Sequence, residues 1–168
     1  MKLKGLLLVT LLSSSVALVR GQSPTDVTVV QGANSGDITA DLRRSFMEVA
    51  NFVTKAAELV PADKYAFKPV QTVRTFGQVV AHIVDSHNYF CAYAAGKSVQ
   101  WADPAEKGST DKATLLPKLK QSIDACNAAL SGGATKPRGL IDNIGHTNLH
   151  YGNMTTYIRI LGLVPPSS

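Results

Sequence analysis

Between Ile38 and Ala56 the apolar side chains recur at steps of three and four: Ile38, Leu42, Phe46, Val49, Phe52 or Val53, then Ala56. That period places them on one stripe of an α-helix. It predicts a first helix from about Asp37 to Leu59, with the Asp37 carboxylate as its cap and Pro61 limiting its far end. The stretch from Pro61 to Pro69 reads as loop, with Tyr65 and Phe67 packing inward. A second helix opens at Thr75, because Thr75-Phe76-Gly77-Gln78 fits a capping box: the threonine oxygen and the glutamine side chain each satisfy a free backbone N–H. Phe76, Val79, Val80, Ile83, Val84 and Phe90 mark its buried side, and Gly96 supplies a C-terminal stop. Residues 97–113 form a polar loop that holds the single tryptophan, Trp101. The third helix covers about Thr114 to Leu130. Its start is set near Thr114 because a proline, here Pro117, is tolerated in a first turn but breaks a helix interior. The fourth runs from about Ile141 to Leu161, ended by Gly162 and Pro165-Pro166. Gly145 and Gly152 weaken it by about 1 kcal/mol each relative to alanine. Seven residues apart, they share a face and leave room for close packing or ligand access. Strand signals are weak, and no repeat or low-complexity tract is present. Four helices joined by loops indicate an all-α four-helix bundle, a fold that builds metal sites from side chains on facing helices.

Upstream of the first helix the pattern changes. Lys2 and Lys4 precede the apolar run Leu6-Leu7-Leu8-Val9-Thr10-Leu11-Leu12, and small residues follow. This is a secretory signal pattern over residues 1–21, and the run is too short for a confident membrane span. Cleavage after Gly21 or after Val19 would suit the small-residue rule. Residues 22–36 are a polar, flexible lead-in, and the domain occupies 37–168. The signal also changes the reading of charge. Residues 1–21 hold three of the 17 basic residues and none of the 12 acidic ones, so the net charge falls from +5 to +2 in the mature chain. No basic cluster with interleaved aromatics remains, which argues against nucleic acid as a partner. Two cysteines, Cys91 and Cys126, are either a disulfide, which export would permit, or two small buried apolar residues.

The candidate chemistry lies in Ile144-Gly145-His146-Thr147-Asn148-Leu149-His150-Tyr151-Gly152-Asn153. On a helix, His146 and His150 at i and i+4 share a face with Cβ atoms about 5–6 Å apart, so two imidazoles converge on one metal ion. His82, among apolar neighbours on the second helix, is the third candidate ligand; an imidazole there needs a partner. The bland alternative is a core histidine held by one hydrogen bond. His87, five residues from His82, points elsewhere and reads as a surface or flank residue. Asp85 and Asp142 each stand where a carboxylate could orient a ligand imidazole. Asp142 could instead be a fourth ligand, and either could be a plain solvated acid. Thr147, Asn148 and Leu149 separate the paired histidines, so the built-in glutamate base of H-E-x-x-H zinc proteases is missing. Three neutral imidazoles would leave the ion its full charge and an open position for water or substrate. Tyr65, Tyr89 and Tyr151 are candidates to line a pocket beside it. Nucleophile-elbow, phosphate-loop and dinucleotide patterns are absent, and the sequon Asn153-Met154-Thr155 is discounted because it falls mid-helix.

The segments Val60 to Pro69, Arg74-Thr75-Phe76-Gly77-Gln78 leading to Ala81-His82-Ile83, His146 to Asn153, and Tyr157 to Pro166 together give the chain a resemblance. It resembles the DinB-like (DinB/YfiT) superfamily, in particular its exported bacterial members, over nearly the whole mature chain. The resemblance implies a bundle with up-down-down-up connectivity and a divalent ion, commonly zinc or nickel, held by His82, His146 and His150. It also implies that homodimers are common; some relatives are called metal-dependent hydrolases, and many have no known reaction. Some relatives act with low-molecular-weight thiols. Those thiols are mainly cytosolic, which sits poorly with an export signal. The leading expectation is an exported, metal-binding bundle with hydrolase or transferase activity on an unknown small molecule. The alternative is a non-catalytic bundle that keeps a metal for stability or carries none, and the third reading is a thiol S-transferase.

Overall fold

The computed structural model describes residues 36–168; the signal segment and most of the lead-in lie outside the described residues. Helix α1 spans Ile38–Leu59, α2 Phe76–Ala94, α3 Lys112–Ala129 and α4 Pro137–Ile160, with a short 3-10 turn at Ala62–Lys64. There is no strand among the described residues.

The predicted caps form. Asp37 Oδ1 accepts from Thr39 N at 2.9 Å and Ala40 N at 3.3 Å. At α2, Gln78 N donates to Thr75 Oγ1 at 3.1 Å while Thr75 N donates to Gln78 Oε1 at 2.9 Å, which is the reciprocal box. Gly96 ends α2 with a φ of 84°. Its N–H bonds Tyr93 O and the Lys97 N–H bonds Ala92 O, the paired closure that a left-handed residue allows.

Two helix starts differ from expectation. Helix α3 begins at Lys112, which leaves Pro117 inside it. Asp111 fixes the earlier start: its carboxylate accepts from Thr114 N at 2.9 Å and from Thr114 Oγ1 at 2.8 Å. A hydrogen bond from the Ser109 hydroxyl, with these two from Thr114, holds the Asp111 carboxyl down to about 2. Pro117 lacks the N–H that would pair with the carbonyl of Ala113, an exposed residue that solvent can reach. Helix α4 begins four residues before Ile141, with Pro137 in its first turn, where a missing N–H is no loss.

Side-chain pairings define how the helices run. Cys91 is bonded to Cys126 and His87 meets Ser122, so α2 and α3 advance together. Cys91 also meets Asn143 while His82 meets His146, so α4 runs against α2. Arg43 meets Asn127 while Lys112 reaches the Glu58 and Val60 carbonyls, so α1 runs against α3. These pairings are consistent with up-down-down-up connectivity. Helix α2 packs against both α3 and α4, and from Phe76 to His87 every residue except Gln78 is buried.

Two glycines permit close approach of another element's backbone, and neither is Gly145 or Gly152, where a Cβ would meet open space. At Gly77 a Cβ would lie 2.1 Å from Thr110 O, and at Gly139 it would lie 2.7 Å from the Tyr93 ring and 3.0 Å from Ala94 N. The first seats the returning α2–α3 loop on the start of α2; the second seats α4 on the end of α2. Both fix where the site residues meet.

Candidate metal centre

Because α4 runs against α2, one turn pair of α4 faces the middle of α2. His146 and His150 therefore converge on His82. The Nε2 atoms of His82 and His146 are 3.2 Å apart, as are those of His150 and His146. All three ligand atoms lie within 4.8 Å of one another. An ion about 2.0–2.1 Å from three nitrogens in a tetrahedral arrangement sets them about 3.3 Å apart, so the donor set fits a divalent ion. Burial is the main reason the His146 and His150 imidazoles are pushed down to about 4, with the charges of neighbouring His82 and of Arg74 adding to it; for His150 the His146 charge adds as well. Near neutral pH these two rings are free bases, the form a metal requires.

The outer nitrogens differ in their partners. His82 Nδ1 donates to Glu106 Oε2 at 2.9 Å, a bond that leaves the Nε2 lone pair for a cation. His150 Nδ1 lies 3.4 Å from the Asn153 amide. His146 Nδ1 is buried with no hydrogen-bond partner among the described residues; packing orients that ring instead, with Phe90 at 5.5 Å and Trp101 at 6.3 Å between centroids. Trp101 also lies 5.6 Å from the His82 ring, so the polar loop places its one large aromatic over two of the three histidines.

Glu106 is the residue that sequence reasoning missed. It stands in the α2–α3 loop, with no periodicity to mark it. Beyond His82 it pairs with Arg74: Nε to Oε1 is 2.6 Å and Nη2 to Oε2 is 3.3 Å. Asp85 does not touch an imidazole. Its two oxygens accept from the Ala105 and Glu106 N–H groups, each at 3.0 Å, and so hold the turn that presents Glu106. Asp142 pairs with Arg138 at 2.7 Å and is not among the converging ligand atoms.

His87 is fully buried, contrary to the surface reading. Its Nδ1 is 3.2 Å from Ser122 Oγ and its Nε2 is 3.3 Å from Thr147 Oγ1. The tyrosines divide. Tyr65 is core, donating to Ala57 O at 2.6 Å, and Tyr151 stacks on Phe52 at 5.6 Å. Tyr89 lies against Trp101, 5.3 Å between ring centroids. The tyrosine at the site is Tyr157, which lines a cleft of about 540 Å³ with Thr72, Arg74, Glu106, His150 and Asn153. A second cleft of about 480 Å³ lies against His82, Gln78, Trp101 and Lys107, and Arg74 and Glu106 border both. A further set, His82, Asp103 and Glu106, brings ligand atoms within 4.8 Å. Its carboxylates are already taken by Arg74, Lys107 and the Trp101 indole N–H.

A helical bundle with three histidines contributed by facing helices is the class this geometry defines. The chain belongs to the DinB superfamily, whose profile matches residues 46–155. Its fold is similar to that of a DinB-like protein from Bacillus cereus ATCC 10987, with a TM-score of 0.63 and 19% identity, covering 76% of this chain and 95% of that one. No curated protein matches it.

Proposed function

We propose that the protein is an exported, divalent-metal-binding member of the DinB superfamily that acts on a small molecule as a hydrolase or transferase. The convergence of three Nε2 atoms, with adjacent pairs 3.2 Å apart, beside an open cleft carries this reading. His82, His146 and His150 would hold the ion, with zinc or nickel the best match to an all-imidazole donor set. Bound there, a divalent ion supplies a Lewis acid and lowers the pKa of coordinated water. The chain's own residues do the rest. Glu106 fixes the His82 tautomer, Asp85 holds the turn carrying Glu106, and Trp101 and Phe90 shield the imidazoles from bulk water. Among the described residues no fourth side chain joins the three histidines. That favours a substrate-accessible position over a closed structural site, because Asp142 is engaged by Arg138.

Export is supported by the Cys91–Cys126 disulfide, a bond that persists in oxidising compartments. No helix among the described residues is long and apolar enough to cross a membrane.

Elemental analysis of the purified mature protein tests the metal centre. About one equivalent of zinc or nickel is expected in the wild type and a small fraction of that in His150→Ala, with helical content unchanged by circular dichroism. A wild type that takes no metal on reconstitution at neutral pH would sink the reading.

A further inference from the structure

Arg74 is anchored at both its backbone and its side chain beside the three histidines. Its carbonyl accepts from the Tyr157 hydroxyl at 2.9 Å, and two of its guanidinium nitrogens are fixed by Glu106. Its Nη2 lies 3.5 Å from the outer nitrogen of His82, so one imidazole ring separates the guanidinium from the convergence point. The third nitrogen, Nη1, has no partner among the described residues, and the side chain is 42% exposed. It borders both clefts, and in the larger one Thr72 and Asn153 add neutral polar groups. A guanidinium with one edge spent on a carboxylate and another edge open is a preorganised receptor for a second, planar oxyanion.

We propose that Arg74 is the specificity element of the site and binds the carboxylate of a small substrate whose other end reaches the metal. This rests on the metal-centre reading for the second anchor only. Charge selects a carboxylate over a phosphate. Glu106 already neutralises most of the guanidinium charge, and Asp103 faces the adjoining cleft. A monoanion meets one open guanidinium edge at little electrostatic cost, whereas a dianion meets the Glu106 carboxylate as well.

Calorimetric titration of the metal-loaded mature protein with succinamate and with succinamide isolates the carboxylate, since both carry the same neutral carbonyl donor. Succinamate should bind about tenfold tighter, the worth of one charge-assisted hydrogen-bonded pair. In Arg74→Gln with metal content unchanged, the preference should vanish. Arg74→Lys, which keeps the charge but not the fork, should retain part of it and serves if the glutamine variant loses metal. Equal binding of the two probes by wild type overturns the proposal. So does a preference that survives Arg74→Gln, because the anion would then be held by the ion alone. Metal-stripped wild type separates the two readings. It should still prefer succinamate, and should bind methyl phosphate less tightly than succinamate. Loss of all preference there overturns the role of Arg74 even if the metal centre stands. A protein that takes no metal but keeps the preference sinks the metal reading and leaves Arg74 as an anion receptor.

Discussion

His82 can offer its Nε2 lone pair to a cation only when the ring proton sits on Nδ1, and Glu106 is the group that keeps it there. The carboxylate accepts at 2.9 Å while Arg74 holds its other oxygen. Removing such an orienting partner costs about 10–100-fold in metal affinity. Glu106→Ala should show that loss in a chelator competition assay, and Glu106→Gln a smaller one, because its amide oxygen still accepts from Nδ1–H. Affinity unchanged in both variants would mean that packing alone orients His82. The three converging histidines were legible in the sequence because helical spacing pairs His146 with His150 and because His82 stands among apolar neighbours. Glu106 was not legible. It reaches His82 across 24 residues of separation, through a loop whose position depends on Asp85 and on the contact at Gly77. Asp85, close to His82 in sequence, works one step further out than spacing suggested.

Helix α2 explains the misplacement of His87. A surface helix has a solvent face, and five residues from His82 would point toward it. But α2 packs against both α3 and α4, and the loop that follows it returns over its start at Gly77. His87 falls between those two helices and has no exposure, while the next residue, Asn88, is exposed. The imidazole is instead shared between Ser122 on α3 and Thr147 on α4. Burial, with the charge of His146 in addition, pushes it down to about 3. The folded pKa is thus below the unfolded value of about 6.5. Below pH 6.5 the unfolded chain binds a proton that the folded chain refuses. Stability is therefore full above about 6.5 and falls as the pH drops from there toward 3, by up to about 1.4 kcal/mol per pH unit for this group. The depressed values of His146 and His150 act in the same direction in metal-free protein. Urea unfolding of the metal-free protein between pH 7 and pH 4 should show this acid limb, and His87→Gln should make it shallower by about one proton's worth. An equal slope in the variant would place the acid sensitivity elsewhere. The element ends teach a related lesson. Caps at Asp37, Thr75 and Gly96 were readable because each is local chemistry. The start of α3 was not, because the Asp111 cap outweighs the cost of an interior Pro117, whose lost partner belongs to the exposed residue Ala113.

At the scale of the whole molecule, the long α2–α3 connection lets two helices run in the same direction, and the Cys91–Cys126 bond ties them across a separation of 35 residues with Cα atoms 5.2 Å apart. The sequence left open whether these cysteines were a bridge or two small buried apolar side chains, since spacing alone cannot tell which helix faces which. The bundle's pairing decides it, because α2 and α3 advance in register from His87 and Ser122 to the two sulfurs. Asn143 of α4 donates its amide to Cys91 Sγ at 3.2 Å, and Thr147 links that turn to His87, so the bridge belongs to a buried polar set joining three helices. A closed loop of this length lowers the entropy of the unfolded chain by an amount worth about 3–4 kcal/mol in the chain-entropy account. That is a large share of the 5–15 kcal/mol typical of a domain. A chain secreted into an oxidising compartment can rely on such a bond, whereas in a reducing one the same sequence would fold with a thinner margin. The Cys91→Ser/Cys126→Ser double variant should accordingly melt roughly 10 °C or more below the oxidised wild type. Reduced wild type should match the variant, and the denatured, unreduced wild type should show no free thiols. Equal melting of oxidised wild type and variant, or two titratable thiols in the denatured, unreduced wild type, would remove the bridge from the account of stability and with it the main structural support for export.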